Sequence, residues 1–116
     1  MTVTLLLAYF TSFAFVSYGV MAFASTYMKQ EFIRYGLSKY RKLVGILEII
    51  GGLGLFVGTW IPLLFILAAS GLCLLMILGF ATRVYIKDSV FQSAPALFFA
   101  LLNAFFVYQY VNGQVF

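Results

Sequence analysis

One acidic residue lies inside a long apolar run of the chain. The run RKLVGILEIIGGLGLFVG covers residues 41–58, and Glu48 is its only carboxylate. On membrane-insertion scales a charged side chain at a helix centre costs roughly 2.5–3.5 kcal/mol, so a charge kept at such depth marks a candidate site. A carboxylate in apolar surroundings can form an ion pair, bind a ligand or carry a proton.

The residues near Glu48 share one face of the predicted helix. At 100° per residue, Arg41, Gly45, Glu48 and Gly52 point to the same side. Because glycine has no side chain, a neighbouring helix or a ligand can approach the carboxylate closely between Gly45 and Gly52.

The first apolar run carries a polar stripe that leads toward the same depth. Its members recur at seven-residue spacing and a lysine follows one turn later: Thr4, Thr11, Tyr18, Ser25 and Lys29. We expect Lys29 to pair with Glu48 at the cytoplasmic end of the helices, beside a small lipophilic pocket. For the stripe itself we favour a structural role, in which the hydroxyls bond to their own backbone carbonyls and Lys29 extends to the interface.

A second set of residues has features typical of structural roles. Gly54 and Gly58 form a G-x-x-x-G pattern that indicates close helix packing. Gly58 and Pro62 interrupt the helix at GTWIP and predict a tight hairpin. Pro95 is expected in the first turn of the fourth helix. Asn103, in the middle of that helix, is expected to bond to a neighbouring helix.

Composition places these residues in a membrane protein. The 116 residues are 65% hydrophobic and only 9% charged, with a mean hydropathy of +1.09. Such a chain exceeds the apolar content that a soluble domain of this size can cover. We therefore predict an all-α, integral membrane four-helix bundle, a single domain over residues 1–116. Its predicted spans are residues 3–27, 43–60, 62–81 and 93–111.

The basic residues predict the orientation of this bundle. All seven lie in two loops: Lys29, Arg34, Lys39, Arg41 and Lys42 in the first, Arg83 and Lys87 in the second. The positive-inside rule then places both loops in the cytoplasm and both termini outside, in a bacterial-type inner membrane. The segment AFAS is similar to a signal-peptidase site, but no basic residue precedes the first apolar run, so we expect that run to be retained.

Several kinds of chemistry are not expected within the chain. It has one cysteine, Cys73, and no histidine. An internal disulfide is therefore excluded, and the usual zinc sites and bis-imidazole haem ligation are not expected. No phosphate-cradling glycine loop lies between a strand and a helix, and nothing indicates nucleic-acid binding. We predict no catalytic constellation, no metal and no covalent cofactor.

The order of these motifs resembles the DoxX-like family of four-helix membrane proteins. The resemblance rests on YGVMAFASTYMK, the segment YGLSKYRKLVGILEIIGGLGLFVG, and MILGFATRVYIKDSV followed by APALFFALLNAFFVY. Positions that match those of the family are Lys29, Gly45, Glu48, Gly51, Gly52, Asp88 and Pro95. Many relatives have a histidine near the end of the third span, which this chain lacks.

The resemblance implies a small bundle that works beside another protein, in some relatives near quinone. Relatives include the membrane part of a thiosulfate–quinone oxidoreductase and assembly factors for receptors. We therefore predict an accessory or assembly subunit that associates with membrane lipid and with another membrane protein or a second copy of itself. One alternative is a self-contained quinone-associated redox protein that uses Glu48, and a less favoured one is a small proton-coupled exporter. The predicted binding residues are Glu48, Lys29, Gly45, Gly52, Arg41 and Tyr18.

Overall fold

The computed structural model describes residues 3–112, except for the side chains of Ser38 and Gln92. Over this range it contains helices and no strand, so the predicted all-α class is confirmed. The helices are α1 (Val3–Ala24), α2 (Thr26–Arg34), a short 3-10 helix (Ser38–Tyr40), α3 (Arg41–Gly58), α4 (Pro62–Tyr85) and α5 (Val90–Val111).

Three segments of the described chain are long and apolar enough to cross a membrane. They are Val3–Ala24, Pro62–Tyr85 and Ser93–Val111. Helix α3 does not meet the same standard, because its 18 residues include the charged side chains of Arg41, Lys42 and Glu48. The second predicted span therefore stays a prediction.

The first predicted span, residues 3–27, is in fact divided between two helices. Helix α1 ends at Ala24, and Ser25 has extended backbone angles. The Ser25 hydroxyl accepts a hydrogen bond from the Met28 N–H at 3.3 Å, which is the usual role of a serine at a helix N-cap. Helix α2 therefore starts afresh at Thr26 instead of continuing the direction of α1.

The expected position of Pro95 is wrong. Helix α5 begins at Val90, so Pro95 lies inside it instead of in its first turn. The start is earlier because the peptide groups before the proline already form helical bonds, as when the Ser93 N–H donates to the Ser89 carbonyl at 3.0 Å. Proline itself removes only the bond to the carbonyl four residues earlier. That carbonyl belongs to Phe91, a residue that is 87% exposed.

The predicted hairpin at GTWIP is present. Helix α3 ends at Gly58 and α4 begins at Pro62, whose missing N–H is not needed at a first helical position. The α3 end approaches α4 so closely that a Cβ on Gly58 would lie 2.5 Å from the Phe65 Cα. Only glycine fits at this contact.

The four long helices pack in the order α1, α3, α4, α5. Helix α1 lies along α3, α3 along α4, and α4 along α5. Helices α1 and α5 approach chiefly through aromatic rings: Phe99 of α5 contacts Phe10, Phe15 and Tyr18 of α1, with ring centroids 5.3–6.1 Å apart. The buried core lies between the four long helices and contains Ala8, Phe15, Leu55, Phe65, Ala69, Leu72, Phe99 and Phe106.

Candidate functional site

The glycines on either side of Glu48 bring α3 against α1. A Cβ on Gly45 would lie 3.1 Å from the Gly19 carbonyl oxygen, and a Cβ on Gly52 would lie 3.0 Å from the Ser12 carbonyl oxygen. The sequence predicts that either a helix or a ligand lies close to Gly45 and Gly52; in the structure it is helix α1. This close approach fixes the rotation of α3, and so the direction of Glu48.

Glu48 points to the interior of the helix group. Two other glycines of α3 face α4, where Gly51 meets Leu72 and Gly58 meets Phe65. On a helix that turns 100° per residue, Glu48 lies between the α1-facing and the α4-facing sides, in nearly the same direction as the core residue Leu55. Glu48 is only 7% exposed.

The carboxylate of Glu48 makes no hydrogen bond or ion pair with any of the residues that the structure describes. The predicted pair with Lys29 is not formed. Lys29 belongs to α2, and its side chain is exposed. The physical reason is the break at Ser25: α2 leaves the line of α1, so the polar stripe of the first span does not continue to Lys29.

Arg41, the other basic candidate partner, is bonded elsewhere. Its Nη1 donates to the Ala22 carbonyl oxygen at 2.5 Å and to the Phe23 carbonyl oxygen at 3.4 Å. These carbonyls belong to the last turn of α1, where helical partners are missing and the helix dipole favours a cation. Arg41 therefore caps α1 from the first residue of α3.

Thr11 and Tyr18 of the predicted stripe make contacts within the helices. Thr11 is fully buried, and its hydroxyl donates to the Leu7 carbonyl oxygen at 2.8 Å within the same helix. Tyr18 is 38% exposed, and its ring packs edge-on against Phe15 and Phe99. Tyr18 thus contributes to the aromatic contact between α1 and α5.

Asn103 bonds within its own helix instead of across to a neighbour. It is completely buried, and its Nδ2 donates to the Phe99 carbonyl oxygen at 2.8 Å. Among the described residues, no hydrogen-bond partner reaches its Oδ1 or the buried Ser12 hydroxyl oxygen on α1. The interior therefore contains polar groups on α1, α3 and α5 whose hydrogen-bonding capacity is not used by the described chain.

An ion cluster at one end of the molecule was not foreseen. We call it the α2 ion cluster; it consists of Glu31, Arg34, Tyr35, Arg83 and Asp88. Arg34 contacts the Glu31 carboxylate at 2.5 Å and the Asp88 carboxylate at 2.6 Å. Arg83 contacts Asp88 at 3.0 Å and Glu31 at 3.7 Å, and it lies 5.2 Å from the centroid of the Tyr35 ring. The cluster joins α2 to the connection between α4 and α5.

Mutual charge neutralisation in this cluster shifts its pKa values. Hydrogen bonds from Arg34 hold the pKa of Asp88 and the pKa of Glu31 below their usual ranges. The same bonds raise the pKa of Arg34. Burial raises the pKa of the Tyr35 hydroxyl to about 12.

One sequence signal could have indicated the cluster. The chain has only three acidic residues, and with Glu48 inside an apolar run the other two are Glu31 and Asp88. Both lie among the basic residues of the loops, so opposite charges on the two loops were available to pair. Arg34 and Asp88 are 54 positions apart in the sequence, so their contact could not be predicted without knowing how the helices pack.

An apolar groove follows the outer side of α3 and α4. We call it the α3–α4 groove; its volume is about 420 Å³. Its lining combines four small residues with larger aliphatic ones: Gly51, Gly54, Ala68 and Gly71, then Leu47, Ile50, Leu64, Leu67, Leu72, Leu74, Leu75 and Leu78. Glu48 does not line it, so the expected lipophilic pocket beside Glu48 is not this groove.

Comparison with protein families assigns the chain. A model of the DoxX-like family matches residues 2–105, which include all of the helices except the end of α5. The chain belongs to the DoxX-like family. Family membership and the three apolar segments together make it a small membrane protein. Comparisons with curated proteins and with solved structures find no match.

The described residues of this DoxX-like chain contain no group of three or more His, Cys, Asp or Glu side chains placed to hold a metal ion. Its acidic side chains lie in two places: Glu48 is in the interior, and Glu31 and Asp88 belong to the α2 ion cluster at one end. The α3–α4 groove is a third feature, apolar throughout.

Proposed function

We propose that this DoxX-like protein is an accessory or assembly subunit of a larger membrane complex, and that a transmembrane helix of its partner docks in the α3–α4 groove. The observation that carries the proposal is the open, apolar groove whose lining includes four small residues. In a membrane, helices associate by close packing instead of by the hydrophobic effect, and small residues allow their backbones to approach.

The groove is suited to a helix. A Cβ on Gly71 would meet nothing within 4 Å apart from its own chain neighbours and the adjacent backbone of α4, so the groove is open at that point. Gly54 is nearly as free, since a Cβ there would make ordinary contact with Ala68 at 3.4 Å. No lining residue is charged. An apolar helix with small or aliphatic side chains therefore fits better than a polar ligand.

A pair of glycine variants tests the proposal. Gly71→Leu places a side chain in the groove at a position where the added Cβ meets no neighbouring side chain within 4 Å, and we expect it to abolish co-purification of the partner. Gly79→Leu is the matched control: Gly79 also lies on α4 with nothing within 4 Å of its Cβ position, but it does not line the groove. We expect it to behave as the native chain does.

The measurement is native mass spectrometry after gentle detergent extraction from the natural membrane. A mass that contains a second polypeptide in the native chain and Gly79→Leu, but not in Gly71→Leu, supports the proposal. A native chain that appears only as a monomer or a homodimer contradicts it. Loss of the partner in both variants shows that the groove is not the docking surface.

A quinone-associated redox protein is the second candidate, and Glu48 is the observation that favours it. The carboxylate is buried and unpaired within the described chain, and it points to the interior between the sides of α3 that contact α1 and α4. A carboxylate there can accept a hydrogen bond from a quinol hydroxyl. A quinone found in solvent extracts of the purified native chain and missing from Glu48→Gln supports this function.

A small proton-coupled exporter is less favoured. In small multidrug exporters of similar length the intramembrane glutamate belongs to the first helix. Here the first helix has no acidic residue, and Glu48 lies on α3.

A further inference from the structure

The α2 ion cluster determines which cationic side chains have partners. Glu31 and Asp88 are its two carboxylates, and both are bonded to Arg34 or Arg83. With Glu48 in the interior, no acidic residue remains to pair with the lysines of the chain. Apart from Arg41, whose guanidinium is bonded to carbonyls of α1, the positive charge of this end that has no internal counter-ion is therefore carried by the lysines.

Four exposed lysines carry this charge. They are Lys29 on α2, Lys39 in the 3-10 helix, Lys42 in the first turn of α3, and Lys87 between α4 and α5. Within the described part of the chain, none of their ammonium groups forms a hydrogen bond or an ion pair. The ammonium of Lys39 lies over the Tyr40 ring, 5.1 Å from its centroid.

These lysines lie at one end of the molecule. The 2.6 Å contact between Arg34 and Asp88 joins the α2 segment to the loop that carries Lys87. The bond from Arg41 to the Ala22 carbonyl brings the start of α3, with Lys42, against the end of α1 where α2 begins. We call this set of four side chains the lysine surface.

Exposed aromatic and aliphatic side chains accompany the lysine surface. Tyr27 and Ile33 of α2 are 62% and 59% exposed, and Tyr40 is 42% exposed. A short helix that presents lysine together with tyrosine and isoleucine is typical of a segment lying in the interface between headgroups and acyl chains. The ammonium groups then reach the depth at which lipid phosphates lie.

We propose that the lysine surface binds the phosphate groups of anionic phospholipids. The positive charge of the lysines is complementary to the negative charge of the phosphates. The carboxylates of Glu31 and Asp88, which could have competed for the lysines, are already bonded to arginines. The exposed apolar neighbours place the lysines at the depth of the lipid headgroups. Each lysine near an anionic surface contributes about 1 kcal/mol of binding on general grounds, which corresponds to about a fivefold change in affinity. The proposal does not depend on the accessory role.

The test compares two lipids on the full-length chain in detergent. Native mass spectrometry follows retention of phosphatidylglycerol and of phosphatidylcholine with the same acyl chains, added in equal amounts. We expect the native chain to retain phosphatidylglycerol at least tenfold more strongly. A variant in which all four lysines are replaced by glutamine should lose this preference, whereas replacement of all four by arginine should keep it.

The remaining arms distinguish the outcomes. Single variants, such as Lys42→Gln, should each lower the preference about fivefold and serve where the fourfold variant does not fold. Equal retention of both lipids by the native chain, or an unchanged preference in the glutamine variants, overturns the proposal. Displacement of phosphatidylglycerol by an equal concentration of inorganic phosphate assigns a site for a free anion and overturns the lipid source.

Discussion

Glu48 occupies the most costly environment of any charged side chain in the described chain. It is buried between the sides of α3 that contact α1 and α4, and no cationic group of the described residues reaches it. A buried polar group without a partner costs about 1–3 kcal/mol of stability relative to the same group in water. A residue retained at such a cost is a candidate for function instead of for stability.

Replacing Glu48 should therefore stabilise the isolated protein. We expect Glu48→Leu to raise the free energy of unfolding by about 1–3 kcal/mol, because it removes the unpaired polar group and fits an apolar interior. Glu48→Gln should have a smaller effect, because an amide in the same place still lacks partners. The measurement is unfolding by a denaturing detergent, followed by circular dichroism, on purified chain without added partner or lipid.

The same two variants should be weaker in binding. We expect both variants to insert into the membrane normally. Any partner or ligand that binds the Glu48 carboxylate should no longer co-purify with either variant. If the Glu48→Leu protein is less stable than the native chain, the Glu48 carboxylate has a stabilising partner, and the prediction is wrong. Full stability together with full complex formation in both variants would contradict a functional role for Glu48.

At the residue scale, the face of α3 could be predicted from the sequence and its partners could not. The periodicity of Gly45, Glu48 and Gly52 is a property of one helix, so it could be recognised without knowing the neighbours. The pair with Lys29 required α1 to continue past Ser25. A serine at that position serves equally well inside a membrane helix or as an N-cap, and only the packed structure distinguishes the two.

At the scale of elements, the α2 ion cluster is the feature that holds α2 in place. Helix α2 has only nine residues, and one of them, Phe32, is buried. A helix of this length is not stable in isolation. Its position therefore depends on its contacts, of which the bonds from Arg34 to Asp88 and from Arg83 to Glu31 reach another element.

Acid should release α2 before it unfolds the rest of the chain. The folded-state pKa values of Glu31 and Asp88 are lowered, so their stabilising contribution is present above the ordinary carboxyl pKa of about 4. That contribution is lost as the pH falls through this value toward the lowered ones. We expect proteolysis within α2 to increase below about pH 4 in detergent, measured by mass spectrometry of short digests with pepsin.

Substitution of Asp88 should reproduce this effect at neutral pH. Asp88→Asn removes the carboxylate that both arginines contact, so α2 should be cut faster at pH 7 by a neutral protease and the dependence on acid should decrease. Lys29→Gln is the matched control, because it removes a charge from α2 outside the cluster. Equal protection of α2 in Asp88→Asn and in the control would show that the ion pairs do not hold the helix.

Helix ends were predicted well where a strong breaker was present. Gly58 and Pro62 mark the hairpin in the sequence, and the structure ends α3 and begins α4 at these residues. Helix α5 starts three residues before the predicted 93, because Pro95 is compatible both with a first turn and with a helix interior whose freed carbonyl belongs to an exposed residue, Phe91. The α2 ion cluster was missed because its members come from separate loops.

For the whole molecule, the placement of charge predicts a topology that can be measured. The seven basic residues lie in two segments, and the α3–α4 turn carries none. If α3 crosses the membrane, Trp60 lies on the opposite side from Lys39 and Lys87. All three are exposed in the structure and are suitable positions for a reporter cysteine.

Labelling with a membrane-impermeant maleimide tests this topology. In a Cys73→Ser background, we expect Trp60→Cys to react in intact cells, and Lys39→Cys and Lys87→Cys to react only after permeabilisation. The opposite pattern would reverse the orientation. Equal labelling of all three positions in intact cells would show that α3 does not cross the membrane.

The order in which the helices pack has a consequence for the synthesis of the protein. Helix α3 lies against α1, α4 against α3 and α5 against α4, whereas α5 meets α1 chiefly through aromatic rings. Each long helix after the first therefore finds a helix that it packs against already synthesised when it leaves the ribosome. The chain can assemble in the order of translation, and only the aromatic contact between its first and last helices waits for release.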